Sequence, residues 1–247
     1  FGGVTWAKDG SGFYYSRYDA PVEGDEFEDA NYFQKLYYHK VGTPQSDDVL
    51  VYERPDQKEW GFGGGVTESG DYLIISVWKG TSPMNLFFYK DLRDAGSEVV
   101  ELVSEFEADY SFVGHDGGVF YMTTDLDAPK KKLIAIDTAA PAKSNWKTLV
   151  PEMDITLQGM GMINGDEFVG SYMKDAHDVV YRYDIEGNKI GELALPGIGS
   201  VGGVGGERTD TETFYTFTSF LYPPTIFKYD FKTGESTIFR EPEIDID

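Results

Sequence analysis

Leu36-Tyr37-Tyr38-His39-Lys40-Val41, Phe88-Tyr89-Lys90-Asp91, Leu133-Ile134-Ala135-Ile136-Asp137, Tyr181-Arg182-Tyr183-Asp184 and Phe227-Lys228-Tyr229-Asp230 are five versions of one pattern. Each runs through apolar or aromatic residues and stops at a turn. Their last residues fall at 41, 91, 137, 184 and 230, so the steps are 50, 46, 47 and 46 residues. A repeat in the mid-forties, filled by short strands and tight turns, is the sequence mark of a β-propeller blade.

Working outward, each tract is preceded by a strand, a tight turn and a strand. The five turns are Asp9-Gly10-Ser11-Gly12, Glu68-Ser69-Gly70-Asp71, His115-Asp116-Gly117-Gly118, Asn164-Gly165-Asp166 and Glu207 to Thr211. Asp-Gly and Asn-Gly are strong hairpin signals because the turns they make need positive φ. The recurrent tract is then a third strand. A polar turn leads to a fourth: Val49–Tyr52, Glu98–Val103, Trp146–Val150, Ile190–Leu195 and Ser236–Phe239. The expected architecture is all-β, one propeller domain over 1–247, with blades at approximately 1–54, 60–104, 107–151, 154–196 and 199–241. Asp91, Asp137, Asp184 and Asp230 should each end a third strand and bond the turn that follows, with Val41 in the same place in the first blade. The acidic insert Asp19 to Asn31 is expected to be a surface loop.

No strand is left over at either end, and an open arc would expose two apolar blade faces. The expectation is a closed five-bladed ring, the alternative being a five-blade portion of a seven-bladed propeller, open or dimerised.

Composition narrows the function classes. Aromatic residues make up 15% of the 247, which favours strands. With 21 Lys and Arg against 43 Asp and Glu, the net charge is −22, a field that repels nucleic acid and anionic membrane surfaces. No stretch approaches the roughly 18 apolar residues of a membrane span. The chain has no cysteine, which excludes disulfides, thiolate catalysis and cysteine-ligated metals. With no signal peptide in view, the expected compartment is cytoplasmic, although the first residue is Phe1 and an upstream piece is expected to be missing.

The motifs give no chemistry of their own. No Gly-x-Ser-x-Gly nucleophile elbow occurs. The histidines His39, His115 and His177 fall in a third strand, a hairpin turn and a polar loop, so none is taken as catalytic. Gly197-Ile198-Gly199-Ser200-Val201-Gly202 has dinucleotide-loop spacing, but the glycines after it oppose the helix such a loop needs. It reads instead as an inner strand where small residues fit close packing. Asp9-Gly10-Ser11-Gly12 and Asp25-Glu26-Phe27-Glu28-Asp29 read as a turn and a solvated loop rather than calcium sites, which need about six to eight converging oxygens. No catalytic, cofactor or metal residue emerges.

Three segments carry a family resemblance. Gln34 to His39, Trp146 to Glu152 and Thr211 to Leu221, with Phe239-Arg240-Glu241 at the end, resemble the propeller of the prolyl oligopeptidases, in family order and across essentially the whole chain. In that family a seven-bladed propeller caps an α/β-hydrolase domain, which carries a Ser-Asp-His triad cleaving after proline. The resemblance implies that this chain holds the last five blades and none of the triad. It also marks Tyr89 and Lys90 as ligand-facing, since Tyr89-Lys90-Asp91 resembles a cavity-facing tract, although the family's cysteine is absent at Lys90. The implied function is a non-catalytic gate that admits short peptides, with the hydrolase domain of the parent protein as partner. The competing readings are a stand-alone peptide- or small-molecule-binding propeller and a purely structural fragment.

Overall fold

The structure, a computed structural model, describes residues 3–19 and 31–243. The acidic insert, apart from Asp19 and Asn31, and the run Asp25 to Asp29 lie outside the described residues. The chain divides into two compact units, Phe1–Tyr110 and Ser111–Asp247.

The first unit contains two antiparallel four-stranded sheets, each in sequence order. One is β1 (Val4–Trp6), β2 (Gly12–Arg17), β3 (Lys35–Lys40) and β4 (Val49–Tyr52); the other is β5 (Trp60–Val66), β6 (Tyr72–Lys79), β7 (Leu86–Asp91) and β8 (Val100–Val103). They pack through a core that includes Leu36, Phe62, Leu73, Ile75, Val77 and Phe88. Each such side chain contributes roughly 1.5–3 kcal/mol on burial.

The second unit holds three more sheets. Their strands are β9 (Tyr110–Asp116, opening on the last residue of the first unit), β10 (Val119–Thr124), β11 (Lys132–Asp137) and β12 (Lys147–Val150); β13 (Thr156–Ile163), β14 (Glu167–Lys174), β15 (His177–Tyr183) and β16 (Lys189–Leu193); β17 (Ser200–Gly205), β18 (Glu212–Ser219), β19 (Tyr222–Asp230) and β20 (Glu235–Arg240). The β13–β16 sheet is covered on both faces. Phe168 and Tyr172 pack with Tyr121 and Leu133 on one side, while Val169, between them in the pleat, packs with Phe217 and Phe227 on the other. Two covered faces explain why Phe168 and Val169, adjacent in the strand, are both buried.

The recurrent aspartates sit where the repeat placed them. Asp91, Asp137 and Asp230 end β7, β11 and β19, and Asp184 follows β15. Asp91, Asp137 and Asp230 each accept the N–H two residues on, from Arg93, Ala139 and Lys232 at 2.9, 2.9 and 2.8 Å. Asp184 takes that of Asn188 at 2.8 Å.

Val41 is one residue late. Lys40 faces Gly12 at the start of β2, as Asp91 faces Tyr72, Asp137 faces Val119 and Asp230 faces Glu212. Val41 donates to the Ser11 carbonyl just as Leu92, the residue after Asp91, donates to that of Asp71. The pairing, not the last apolar letter, sets the register.

Other expectations change too. His115 lies in β9, and His177 opens β15 four residues before the expected start of that strand. Asp175 and Ala176 make the preceding two-residue turn with φ of 46° and 62°, so a primed hairpin forms without the glycine that usually announces one. Close packing holds at one point of the glycine run: a Cβ on Gly199 would clash with the Thr218 carbonyl and the Phe217 ring, whereas one on Gly202 or Gly203 meets nothing within 4 Å. The open stretch is a bulge instead, since the β17–β18 register shifts between Gly202 and Gly205, and Gly203 has φ of 76°.

Candidate functional site

Tyr89 and Lys90 lie at the end of β7, opposite Ile74 and Leu73 of β6. The Tyr89 ring meets that of Tyr72 edge to face at 5.8 Å between centroids. The Lys90 ammonium donates to the Ser97 carbonyl, and the Ser97 hydroxyl donates to the Asp91 carbonyl. Arg93 grips both oxygens of Asp91, at 2.9 and 2.6 Å, and its guanidinium lies 4.7 Å from the Tyr72 ring centre. The Arg93 guanidinium holds the Asp91 carboxyl below its ordinary range. The tract named by resemblance is therefore a strand end bonded into its own sheet.

Each of the three histidines has a partner close to it in sequence. His39 on β3 holds its Nδ1 2.7 Å from Asp48 Oδ1, and the Asp48 side chain is 1% exposed. Asp48 Oδ2 accepts the Tyr15 hydroxyl, which also receives Gln45 Nε2 at 3.1 Å. Burial alone would push the Asp48 carboxyl up, but the Tyr15 hydroxyl and the His39 ring more than offset it and hold it low. Among the described residues no serine or threonine hydroxyl bonds His39. Sequence reading missed the pair because His39 lies on β3 while Asp48 lies off the strands, at the end of a short turn. The short 3-10 turn Gln45–Asp47 is what delivers Asp48 to the strand. His115 Nδ1 lies 3.1 Å from the Gly117 carbonyl, and His177 is paired with Lys174 across its hairpin.

The second unit has a polar knot at its strand-one to strand-two turns. Arg208, between β17 and β18, donates Nε to the Gly165 carbonyl at 2.9 Å and Nη1 to the His115 carbonyl at 3.1 Å. Its Nη2 pairs closely with Asp166 and reaches Asp116 at 3.5 Å. Gly165 N–H in turn donates to the Arg208 carbonyl at 2.6 Å. One planar guanidinium thus joins the turns of three sheets, which a lysine could not do with the same geometry.

A cleft of about 140 Å³ lies beside β15 and β16, lined by His177, Asp178, Tyr181, Glu192 and Ile198 among others. Asp178 is 4% exposed, accepts the Val201 N–H through Oδ2 at 2.7 Å, and leaves its buried Oδ1 without a partner. No group of three or more His, Asp or Glu among the described residues could hold a metal ion.

This arrangement of four-stranded antiparallel sheets has known counterparts. The family described as "Prolyl oligopeptidase, N-terminal beta-propeller domain" matches residues 1–242. The chain belongs to that family. Its five sheets are accordingly blades of a prolyl oligopeptidase propeller. The prolyl endopeptidase of Elizabethkingia meningoseptica is 35% identical over 246 residues, covering 99% of this chain and 34% of that protein. The dual function macrocyclase-peptidase POPB of Galerina marginata is 32% identical over 243 residues, covering 97% and 33%. Among solved structures, prolyl oligopeptidase B from Galerina marginata bound to a 35mer hydrolysis and macrocyclization substrate superposes with a TM-score of 0.87 at 31% identity, over 99% of this chain and 35% of that one. The apo protein gives 0.84 over 96% and 33%. The chain spans about a third of the length of the prolyl oligopeptidases it matches. No helix among the described residues is long and apolar enough to cross a membrane.

Proposed function

We propose that this chain is the substrate-gating propeller of a prolyl-oligopeptidase-type serine peptidase, non-catalytic in itself, acting with an α/β-hydrolase domain that cleaves after proline. The observation that carries this reading is the match to the propeller domain over 1–242 by a chain that spans only a third of its peptidase relatives. Short peptides are the substrates to be gated. In the second unit Arg208 ties three turns together, which suits a scaffold that must hold its shape against a peptide.

The test uses two proteins: the chain alone, and the chain joined in place of the matching third of the Elizabethkingia meningoseptica relative. The chain alone should not cleave a Gly-Pro chromogenic substrate above the no-enzyme rate. The joined protein should cleave it and short proline peptides while sparing a folded protein with exposed proline loops. Turnover by the chain alone that is blocked by a serine-directed phosphonate would overturn the non-catalytic reading.

A further inference from the structure

Asn164-Gly165 is the one Asn-Gly step in the sequence; the other four asparagines precede Tyr32, Leu86, Trp146 and Lys189. A glycine after asparagine leaves the next backbone nitrogen unshielded and lets the chain bend back on the side chain. That nitrogen can attack Asn164 Cγ. The bond from Cγ to Nδ2 then breaks, ammonia leaves and a five-membered succinimide closes. Water opens the ring at one carbonyl or the other, to aspartate or to isoaspartate, whose backbone is longer by one methylene. The folded turn restrains both reacting groups. The Gly165 N–H donates to the Arg208 carbonyl at 2.6 Å, and Arg208 Nε donates back to the Gly165 carbonyl at 2.9 Å. Asn164 Nδ2, the leaving nitrogen, donates to Glu167 Oε1 at 2.6 Å. Arg208 is anchored in its turn by the His115 carbonyl and by Asp166. The attacking nitrogen is therefore released only when this knot of turns opens, a local event separate from unfolding of the whole.

We propose that Asn164 is a self-modification site, deamidated at a rate set by opening of the Arg208 knot, and that the change loosens the tie between the β13–β16 and β17–β20 sheets. The tie runs through Glu167. Its carboxylate accepts Arg182 Nε and Nη2, both at 2.9 Å, while Arg182 Nη1 donates to the Tyr229 hydroxyl on β19 at 2.9 Å. Glu167 Oε1 is thus shared by Asn164 and Arg182. A carboxylate at position 164 has no hydrogen to donate and sets like charge against Glu167. Isoaspartate instead lengthens a turn whose two central φ angles, 55° and 78°, match its short span. Either product removes a donor from Glu167 and pulls it away from Arg182. The inference stands independently of the gating reading.

Mass spectrometry during incubation in mildly alkaline buffer tests this, with isoaspartate counted by enzymatic methylation. The samples are the chain, a free peptide of residues 161–168, and the variants Arg208→Ala, Arg208→Lys and Gly187→Ala. The peptide should convert many-fold faster than the folded chain. Arg208→Ala should convert several-fold faster than the parent, with Arg208→Lys between them. Gly187→Ala lies in the β15–β16 turn, outside the knot, and should convert more slowly than Arg208→Ala although it destabilises the fold more. A chain that converts as fast as the peptide, or a Gly187→Ala variant that outruns Arg208→Ala, would overturn control by the knot. No conversion in either Arg208 variant would remove Asn164 as a modification site. Asn164→Asp, which imitates one product, should raise hydrogen exchange in β14 and β19 above the parent; unchanged exchange would overturn the loosened tie.

Discussion

Asn85 and Asp178 stand six residues before Asp91 and Asp184, and each accepts the N–H of a residue that opens, or lies within, the first strand of the following sheet: Tyr110 and Val201, both at 2.7 Å. Their own N–H groups donate two residues earlier on the same segments, to Ala108 at 3.1 Å and Gly199 at 2.9 Å. Gln34, six residues before Lys40, bonds the Phe62 N–H at 2.6 Å in the same way. The repeat thus carries a side-chain clamp as well as a turn aspartate. The amide of Asn85 is used at both ends, Nδ2 donating to the Tyr110 carbonyl at 2.9 Å. Asp178 has no such donor, and its Oδ1 is buried and unpartnered.

Replacing Asp178 by Asn should therefore stabilise the protein. The amide keeps the acceptor and supplies the missing donor, and removing an unsatisfied buried oxygen recovers about 1–3 kcal/mol. Urea unfolding at neutral pH reads this as a higher midpoint at unchanged slope. A lower midpoint would mean that the carboxylate oxygen already has a donor.

Gly187 should tolerate no side chain. Its φ is +87°, and a Cβ would lie 2.3 Å from the Leu149 carbonyl oxygen of the neighbouring sheet. Gly187→Ala combines backbone strain with a backbone clash and should cost about 2–4 kcal/mol. Gly203→Ala, with φ of +76° but open space, carries the strain alone and should cost about 1–2 kcal/mol. Thermal melts of the two variants separate the effects, and equal losses would refute the clash.

The Asp48 network should make part of the stability acid-labile. The folded carboxyl is held below its ordinary value of 3.8 by Tyr15 and His39, with Arg17 adding to the pull. A lowered folded value means the contribution is complete above the unfolded value and is lost as pH falls below it. Asp48→Asn should cost stability at pH 7, and the gap to the parent should narrow toward pH 3. A gap independent of pH would show that Asp48 acts by packing alone.

Arg208→Ala should loosen three turns together. Hydrogen exchange at Asp116 to Gly118 and at Gly165 to Glu167 should rise in parallel, with a stability loss of about 1–2 kcal/mol for the lost charge-assisted bonds. Arg208→Lys should restore the charge but not the shared geometry, so exchange should stay raised at one turn or more. Full rescue by lysine would reduce the knot to charge neutralisation.

What could be read from the chain was whatever repeats locally. Strands and turns follow from apolar periodicity and from Gly, Asn and Asp placement, interactions that span a few residues; hence Asp91, Asp137 and Asp230 could be placed at their strand ends from spacing alone. The family resemblance followed from the same ordered segments. Contacts between distant residues had no such signal. Arg208 bonds His115 across 93 positions and Gly165 across 43, and Asp48 finds Tyr15 across 33. The partner of a long polar side chain depends on which turns a folded sheet brings within about 3 Å, and many acids in this chain would have served equally in sequence. The one-residue slip at Val41 has the same origin, because letters show where a strand tires of apolar residues while only the hydrogen-bond ladder shows which residue faces which. The exposed Phe220 and Leu221 make the point in reverse: in the sequence they look like core, and only the hairpin's path leaves them in water.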